Sequence, residues 1–201
     1  MKSQDLFTFK DGILSLFNLP GRLTPSSTLI LEEELGKKLF GEKFLAFKYF
    51  LGEIQGKMGS NLMYKTYGFK KDIKSIKMSN QHSELIGTGK ISLLRLTEKS
   101  AIIEIKNNPF SHKYKDLNGL QKESVDYFLS GIMGGAYIVH LDNPHVFCVK
   151  EKDVAKGDKK CIFHIKEKSA FPKHSLFFKL VEEIREKYGQ SLSVKNYFKF
   201  F

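Results

Sequence analysis

Apolar residues recur along this chain at two spacings, which predict two kinds of element. Near the amino terminus, apolar runs at residues 6–10 and 13–17 flank Asp11-Gly12, a strong two-residue turn signal between strands. Four later runs of apolar residues, each bounded by turn residues, predict further strands. They lie at residues 91–96, 101–105, 144–150 and 161–166, the last two joined by a turn at Gly157-Asp158. Asn107-Asn108-Pro109 should stop the 101–105 strand, because proline lacks a backbone donor.

Apolar residues three and four positions apart predict five helices. The first starts at Pro25-Ser26-Ser27 and should end near Phe40-Gly41. The others run from Glu42 to about Met58, over residues 70–85, from about Leu120 through Ala136, and over residues 173–188. The second helix is apolar on more than one face, so it should touch two different partners.

Three glycines fall in the fourth predicted helix: Gly131, Gly134 and Gly135. Each should cost up to about 1 kcal/mol relative to alanine inside a helix, so their presence requires a reason. Close approach of another backbone or of a ligand would supply it. Packing of the helix on the sheet is the interpretation we favour over direct ligand contact.

Composition and charge narrow the function classes. The length of 201 residues fits one domain. The sequence contains two cysteines, no signal-peptide pattern and no apolar run of membrane-spanning length. These features predict a cytoplasmic protein. The net charge of +11 could attract nucleic acid, but the lysines are scattered and no nucleic-acid-binding motif is present, so no direct binding is expected. Six dispersed histidines, without HExxH or GxSxG spacing, indicate no reaction.

Three motifs carry a resemblance to a known family. They are Asn108-Pro109-Phe110, the segment Ser130-Gly131-Ile132-Met133-Gly134-Gly135, and Val154-Ala155-Lys156-Gly157-Asp158-Lys159-Lys160-Cys161-Ile162-Phe163. In order and spacing they resemble the 4-vinyl-reductase-type small-molecule-binding domain. Arg22-Leu23-Thr24-Pro25 is similar to the family's opening, so the resemblance covers residues 6–166. The family shares a superfamily with haem nitric-oxide-binding domains and TRAPP vesicle-tethering subunits, and includes sensor domains of aromatic-responsive activators and single-domain archaeal proteins.

The resemblance implies an α+β fold of the TRAPP-like, NO-signalling ligand-binding type. An antiparallel sheet should be covered on one face by several helices, with an apolar cavity between the layers or at the helix glycines. The small-molecule-binding domain should span residues 1–166. Residues 167–201, an amphipathic helix and an aromatic tail, should pack on the same domain.

The resemblance also raises the question of zinc. Sensor members of the family bind zinc partly through the first cysteine of a Cys-x-x-x-Gly-Asp-x-x-Cys arrangement. Asp153 stands at that position here, whereas the last cysteine is retained as Cys161. Glu151, Asp153 and Cys161 are candidate ligands, but structural zinc usually takes four thiolate or imidazole ligands. We therefore expect no metal and no other cofactor.

The leading hypothesis is non-enzymatic binding or sensing of a small hydrophobic molecule in an apolar pocket. With 18 phenylalanines and no tryptophan, such a pocket should be lined by Phe, Met and Ile. The candidate ligand-binding residues, each of which could also be plain core, are Phe47, Phe50, Phe128, Ile132, Met133 and Phe147. A homodimer is expected. Two alternatives stay open: a dimeric structural or interaction module, and an accessory protein of tetrapyrrole metabolism.

Overall fold

Two antiparallel sheets organise the strands of the computed structural model, which describes residues 7–10, 13–16, 19–21, 24–68 and 70–189. The first sheet contains β1 (Phe7–Lys10), β2 (Ile13–Leu16) and β3 (Leu19–Gly21) in that order, and it confirms the predicted amino-terminal hairpin. The second contains β4 (Lys90–Leu96), β5 (Ala101–Lys106), β6 (Val146–Lys152) and β7 (Cys161–Glu167), in the order β4-β5-β7-β6. The predicted aromatic tail, residues 197–201, lies outside the described residues.

Six α-helices occur in the described part of the chain: α1 (Ser26–Phe40), α2 (Glu42–Tyr67), α3 (Ile73–Leu85), α4 (Pro109–Asn118), α5 (Tyr127–Leu141) and α6 (Ser175–Tyr188). Three predictions need correction. Helix α2 continues nine residues past Met58, α5 begins at Tyr127 rather than near Leu120, and α4 was not predicted. None of the described helices combines the length and apolarity needed to cross a membrane.

One face of the second sheet is buried beneath helices, as predicted. Alternate strand residues such as Ile103, Phe163 and Cys148 point to this face, where α5 contributes Met133 and Tyr137. We call this cluster the sheet core; its fully buried members include Ala101, Ile103, Ile105, Val146, Cys161, Phe163 and Ile165. The period of two along the strands therefore selects the face that the helices cover.

Helices α2 and α5 cross at backbone contact. A Cβ atom at Gly131 or Gly135 would lie 2.0 Å from a carbonyl oxygen of α2, and one at Gly52 or Gly56 would lie 2.0 or 2.1 Å from a carbonyl oxygen of α5. A close backbone approach was predicted for these glycines, but its partner is a helix. The expected contact with the sheet is right only for Gly134, where an added Cβ would lie 3.5 Å from the Cys148 Cβ.

Helix α6 packs where α2 meets the edge strand β6. Phe178 and Val181 of α6 form a buried cluster with Ala46 and Tyr49 of α2 and Phe147 of β6, together with Phe171. We call this cluster the α6 core. Arg185 of α6 donates to the carboxylate of Glu53, which is fully buried on α2. The guanidinium also lies 4.1 Å from the centre of the Phe147 ring, so α6 is attached by both apolar and charged contacts.

Candidate functional site

A small group of polar side chains is buried between α2, α3 and α5. Tyr137 and His140 lie one turn apart on α5, so they share a helix face, and their ring centres are 5.3 Å apart. Tyr64 reaches them from α2, with its hydroxyl 2.5 Å from His140 Nδ1. Asn80, on α3, is also buried. Three helices therefore place phenol, imidazole and amide groups beside the sheet core.

Two atoms in this group are buried without a hydrogen-bond partner among the described residues. They are the Tyr137 hydroxyl oxygen and His140 Nε2, and we call them the α5 polar pair. Tyr137 is 1% exposed and His140 is 6% exposed. A weak hydrogen-bonding contact with the Asn80 side chain partly lowers the pKa of Tyr137, but its geometry falls short of a full hydrogen bond, whereas no described group contacts His140 Nε2 in this way. An unsatisfied buried polar group costs about 1–3 kcal/mol, so a water or the polar group of a ligand is expected at this pair.

The site carries no net charge near neutral pH. Burial, assisted by Lys71, lowers the pKa of His140 from 6.5 to about 4, so its imidazole is neutral. Burial, assisted by Asp72, raises the pKa of Tyr64 to about 12, and burial also raises the pKa of Tyr137. A charged ligand group would find no opposite charge among the three buried side chains, and the nearby Lys71 and Asp72 are exposed.

The surroundings of the α5 polar pair are apolar. Tyr137 is itself a member of the sheet core, which also contains Ile76 of α3, Ile91 of β4 and Met133 of α5. Leu141 packs against the same cluster. The arrangement is thus a small polar patch set among apolar side chains, and small-molecule sites combine the same two kinds of group.

The six ligand-binding residues predicted from the sequence do not form one cluster. Met133 belongs to the sheet core and Phe147 to the α6 core, whereas Phe47 is 43% exposed. Phe50 is buried, and Phe128 and Ile132 are half-buried on the helices whose crossing they flank. Met133 is the member of the set that shares a cluster with Tyr137. The assignment of these six residues to a ligand stays a prediction.

Sequence reasoning did not single out Tyr64, Tyr137 or His140 as a group. One signal was available, since Tyr137 and His140 lie three residues apart on the same face of a helix that is otherwise almost wholly apolar. Their partner Tyr64 could not be paired with them from the sequence. It lies 76 residues away, on the part of α2 beyond the predicted end of that helix.

The candidate zinc ligands are only partly brought together. Cys161 Sγ lies 3.6 Å from Asp153 Oδ1, but Glu151 is directed to His164, with 2.8 Å between Oε2 and Nε2. The buried ammonium of Lys150 lies 3.3 Å from Asp153 Oδ2. In the part of the chain that the structure describes, no three His, Cys, Asp or Glu side chains are placed to hold a metal ion. The donor set does not fit zinc, because a cation already faces its carboxylate.

Electrostatics agree with this view of Lys150 and Asp153. Burial lowers the pKa of Lys150. Nearby acidic groups, chiefly Asp153 and Asp126, together raise this pKa by more than burial lowers it, so the net shift is upward. Burial raises the pKa of Asp153, but Lys150 and the backbone amides of Val125 and Ala155 lower it, and the net shift is downward. Burial also raises the pKa of the Cys161 thiol, so it stays protonated. Lys150 and Asp153 therefore form a buried ion pair.

Comparison with solved structures finds similar chains, among them these three. The phenol-responsive sensory domain of the transcription activator PoxR, solved with phenol, is 13% identical, with a TM-score of 0.76 over 88% of this chain and 92% of that chain. A vinyl-4-reductase family protein from Methanocaldococcus jannaschii is 19% identical, with a TM-score of 0.48 over 73% and 83% of the two chains. A trafficking protein particle complex subunit 3 from Naegleria fowleri, covalently bound to palmitic acid, is 14% identical, with a TM-score of 0.48 over 71% and 95%.

No family model matches the sequence, and no curated protein matches it either. At these low identities, the likeness to solved structures concerns the fold. The match to the PoxR sensory domain covers most of both chains. It confirms the α+β architecture, and with it the fold that the resemblance in the sequence implied.

Proposed function

We propose that this chain binds a small, uncharged molecule that has an apolar body and one hydroxyl or carbonyl group. The polar group would lie at the α5 polar pair, and the apolar body among the sheet-core residues beside α3 and α5. The observation that carries the proposal is the presence of two buried polar atoms on neighbouring rings, His140 Nε2 without a hydrogen-bond partner and Tyr137 Oη with no more than the weak contact of Asn80. No reaction is proposed.

Hydrogen-bond chemistry favours a hydroxyl as the polar group. If the Tyr64 hydroxyl donates to His140 Nδ1, the imidazole proton is on Nε2, which then donates to the ligand; in the other tautomer Nε2 accepts. The Tyr137 hydroxyl can donate or accept in either case. A ligand hydroxyl, which also does both, satisfies the pair whichever tautomer is present.

The likeness to the PoxR sensory domain supports the size and chemistry of the proposed ligand. That domain is phenol-responsive and its structure contains phenol, an uncharged hydroxyl on an apolar ring. Met133 was predicted from the sequence as a ligand contact and shares the sheet core with Tyr137. Of the six predicted residues, it is the one that we propose to contact the ligand directly. Phe50, Phe128 and Ile132 would then support it from the α2–α5 crossing.

Phenol and the variant Tyr137→Phe test the proposal. Phenol should raise the Tm of the wild-type protein, whereas benzoate, which is charged, should not. Tyr137→Phe should weaken phenol binding roughly five- to tenfold while leaving the Tm of the empty protein unchanged or raised, because it removes an unsatisfied buried hydroxyl. Tyr127→Phe, at the other end of α5 and packed on Phe177, is the matched control and should bind as wild type.

Native mass spectrometry of the purified protein provides a second test. A non-covalent mass that is lost on denaturation, and whose occupancy falls in Tyr137→Phe, would support the proposal. Equal response of wild type and Tyr137→Phe to phenol, with no bound mass in either, would reject it.

An exposed apolar stripe favours a second candidate function, that of a dimeric interaction module. Leu31, Leu35 and Leu39 of α1 lie four residues apart and are 58%, 49% and 72% exposed. We propose a second copy of this chain as their partner, with the two α1 helices antiparallel about Leu35. This pairing brings Leu31 against Leu39 and the exposed Glu32, which also accepts from Lys48 of its own chain at 2.9 Å, against the exposed Lys38, so apolar and opposite-charge contacts coincide.

Light scattering of the purified chain tests this pairing. The wild type should be dimeric, and Leu35→Lys should be monomeric. Leu176→Lys, which alters a leucine on α6 that is 65% exposed, should stay dimeric. A monomer at every concentration, or a dimer that Leu35→Lys leaves intact, would reject the α1 interface.

The cytoplasmic location and the lack of direct nucleic-acid binding stay predictions of the sequence.

A further inference from the structure

We propose that the ammonium group of Lys150 joins the end of the second sheet to the helices around it, without a metal ion. Lys150 is on β6, and its Nζ atom lies 2.7 Å from the Val125 carbonyl oxygen, 3.2 Å from Ser111 Oγ and 3.3 Å from Asp153 Oδ2. It also lies 5.3 Å from the centre of the Phe163 ring on β7. Four other segments of the fold therefore converge on one buried cation.

Each of these partners comes from a different element. Ser111 is in the first turn of α4, Val125 is in the segment before α5, and Asp153 follows the end of β6. A lysine ammonium has three protons to donate, and three oxygen acceptors surround it here. The charge is thus satisfied by geometry, which is the condition under which a buried charge is tolerated.

Asp153 extends the network to the backbone. One of its oxygens accepts from the Val125 amide at 2.9 Å, and the other accepts from the Ala155 amide at 3.0 Å. The Asp153 amide in turn donates to Asp158 Oδ2 at 2.9 Å, across the turn that precedes β7. The carboxylate therefore orders both the hairpin turn and the entry to α5, while Lys150 neutralises it.

This network stands where the sequence resemblance suggests a zinc ion. Two of the three candidate ligands are adjacent, with Cys161 Sγ 3.6 Å from Asp153 Oδ1, but the positive charge beside them is that of Lys150. A divalent ion bound by Asp153 and Cys161 would lie within a few ångströms of this ammonium, and two cations at such a distance in a buried site repel each other strongly. A lysine ammonium and a metal ion are thus alternative cations that could neutralise the buried Asp153 carboxylate.

Stability measurements on single and double variants test the proposal. Lys150→Met should lower the Tm by roughly 10 °C, because it leaves the Asp153 carboxylate buried without its cation. Lys152→Met, which removes an exposed lysine from the same strand, should change the Tm by less than about 2 °C. The double variant Lys150→Met with Asp153→Asn should be more stable than Lys150→Met alone, since the carboxylate nearest to the lost ammonium is then neutral. This double variant remains informative if Lys150→Met does not fold.

Metal analysis provides the second readout. The wild-type protein, produced in zinc-supplemented medium, should contain far less than one zinc per chain, and a chelator should leave its Tm unchanged. One bound zinc per chain with a Tm that falls on chelation would overturn the proposal. So would a Lys150→Met variant as stable as Lys152→Met, or a double variant that is less stable than Lys150→Met.

Discussion

Glu33 places a carboxyl group between α1 and the start of α5, where only 3% of the residue is exposed. Its Oε1 atom accepts a hydrogen bond of 2.9 Å from the Asp126 amide. Burial raises the pKa of Glu33 from 4.5 to about 7, and the neighbouring Asp126 carboxyl adds to the rise, whereas the Asp126 amide, Lys150 and Lys48 oppose it. The folded protein thus keeps Glu33 protonated at a pH where the unfolded chain ionises it.

This carboxyl should make the protein less stable as the pH rises. Between about pH 4.5 and 7 the native state holds a proton on Glu33 that the unfolded state has released, so the contribution of Glu33 to the free energy of unfolding falls by up to about 1.4 kcal/mol per pH unit, on the order of 3 kcal/mol in total. The lowered pKa of His140 has the opposite effect below about pH 6.5, so the Glu33 contribution is obtained by comparing variants. Glu33→Gln should lose this dependence, and Glu32→Gln, an exposed neighbour, should retain it. Urea denaturation at about pH 5 and about pH 8 measures the difference. Parallel losses in wild type and Glu33→Gln would contradict the prediction.

His140 gives the proposed ligand site a different pH behaviour. Because burial lowers the pKa of His140 to about 4, its imidazole does not change charge between about pH 5 and 8, and neither Tyr64 nor Tyr137 ionises in that interval. Calorimetric titration with phenol should therefore give an affinity that is constant over that range. An inflection near pH 6.5, the value of an exposed histidine, would show that the imidazole is not buried as described.

At the scale of elements, the crossing of α2 and α5 is the contact most sensitive to a single atom. A Cβ at Gly56 would lie 2.1 Å from the Ile132 carbonyl oxygen and 2.8 Å from the Ala136 nitrogen, whereas a Cβ at Gly59, one turn further along α2, would meet nothing within 4 Å. The two glycines therefore form a matched pair for the same substitution.

Gly56→Ala should destabilise the protein by at least about 2 kcal/mol, because the added methyl group forces the two helix backbones apart. Gly59→Ala should be neutral or should stabilise it by up to about 1 kcal/mol through helix propensity. Midpoints of urea unfolding measure both effects. Equal midpoints for the two variants would mean that the helices do not touch at Gly56.

Apolar spacing was sufficient to predict the larger sheet. Each of its four strands begins and ends within two residues of the predicted position, because alternating or continuous apolar runs bounded by turns have few other solutions. Helix α4 was missed for a specific reason. Pro109 was interpreted as the end of a strand, but it is also the first residue of a helix whose cap is Asn108, with Oδ1 2.7 Å from the Ser111 amide.

Other differences depend on long-range contacts. Helix α2 extends to Tyr67 because Met63 and Tyr64 find partners elsewhere in the fold, and α5 starts late because Asp126, with φ at 65°, caps it through the Leu129 amide. The α5 polar pair could not be predicted for the same reason, since it depends on long-range contacts. His140 was visible as one of six dispersed histidines, but its meeting with Tyr64 requires the folded arrangement of α2 and α5.

At the scale of the whole molecule, α6 connects the carboxyl-terminal part of the chain to the rest. Phe178 is 1% exposed, and its ring centre lies 4.2 Å from that of Phe147 on β6 and 6.3 Å from that of Tyr49 on α2. Arg185 pairs with the fully buried Glu53, whose carboxylate would lose its main charge partner on α6 if that helix detached. Detachment of α6 would remove the Arg185 guanidinium from the buried Glu53 carboxylate, leaving it with Lys57 of α2, whose Nζ lies 2.6 Å from Oε1, and would also expose the α6 core.

We therefore expect residues 175–188 to unfold with the domain rather than before it. Phe178→Ala should cost about 3–5 kcal/mol, and hydrogen exchange should become faster by the same free energy in α5, β7 and α6, because one cooperative unit reports one stability. Leu176→Ala, at a residue of α6 that is 65% exposed, should leave protection unchanged throughout. If Phe178→Ala accelerated exchange in α6 alone while α5 and β7 kept wild-type protection, α6 would be an independent unit. The pair of Arg185 with Glu53 would then contribute little to the fold, since a fully buried carboxylate that lost Arg185 and kept only Lys57 should weaken α2 as well.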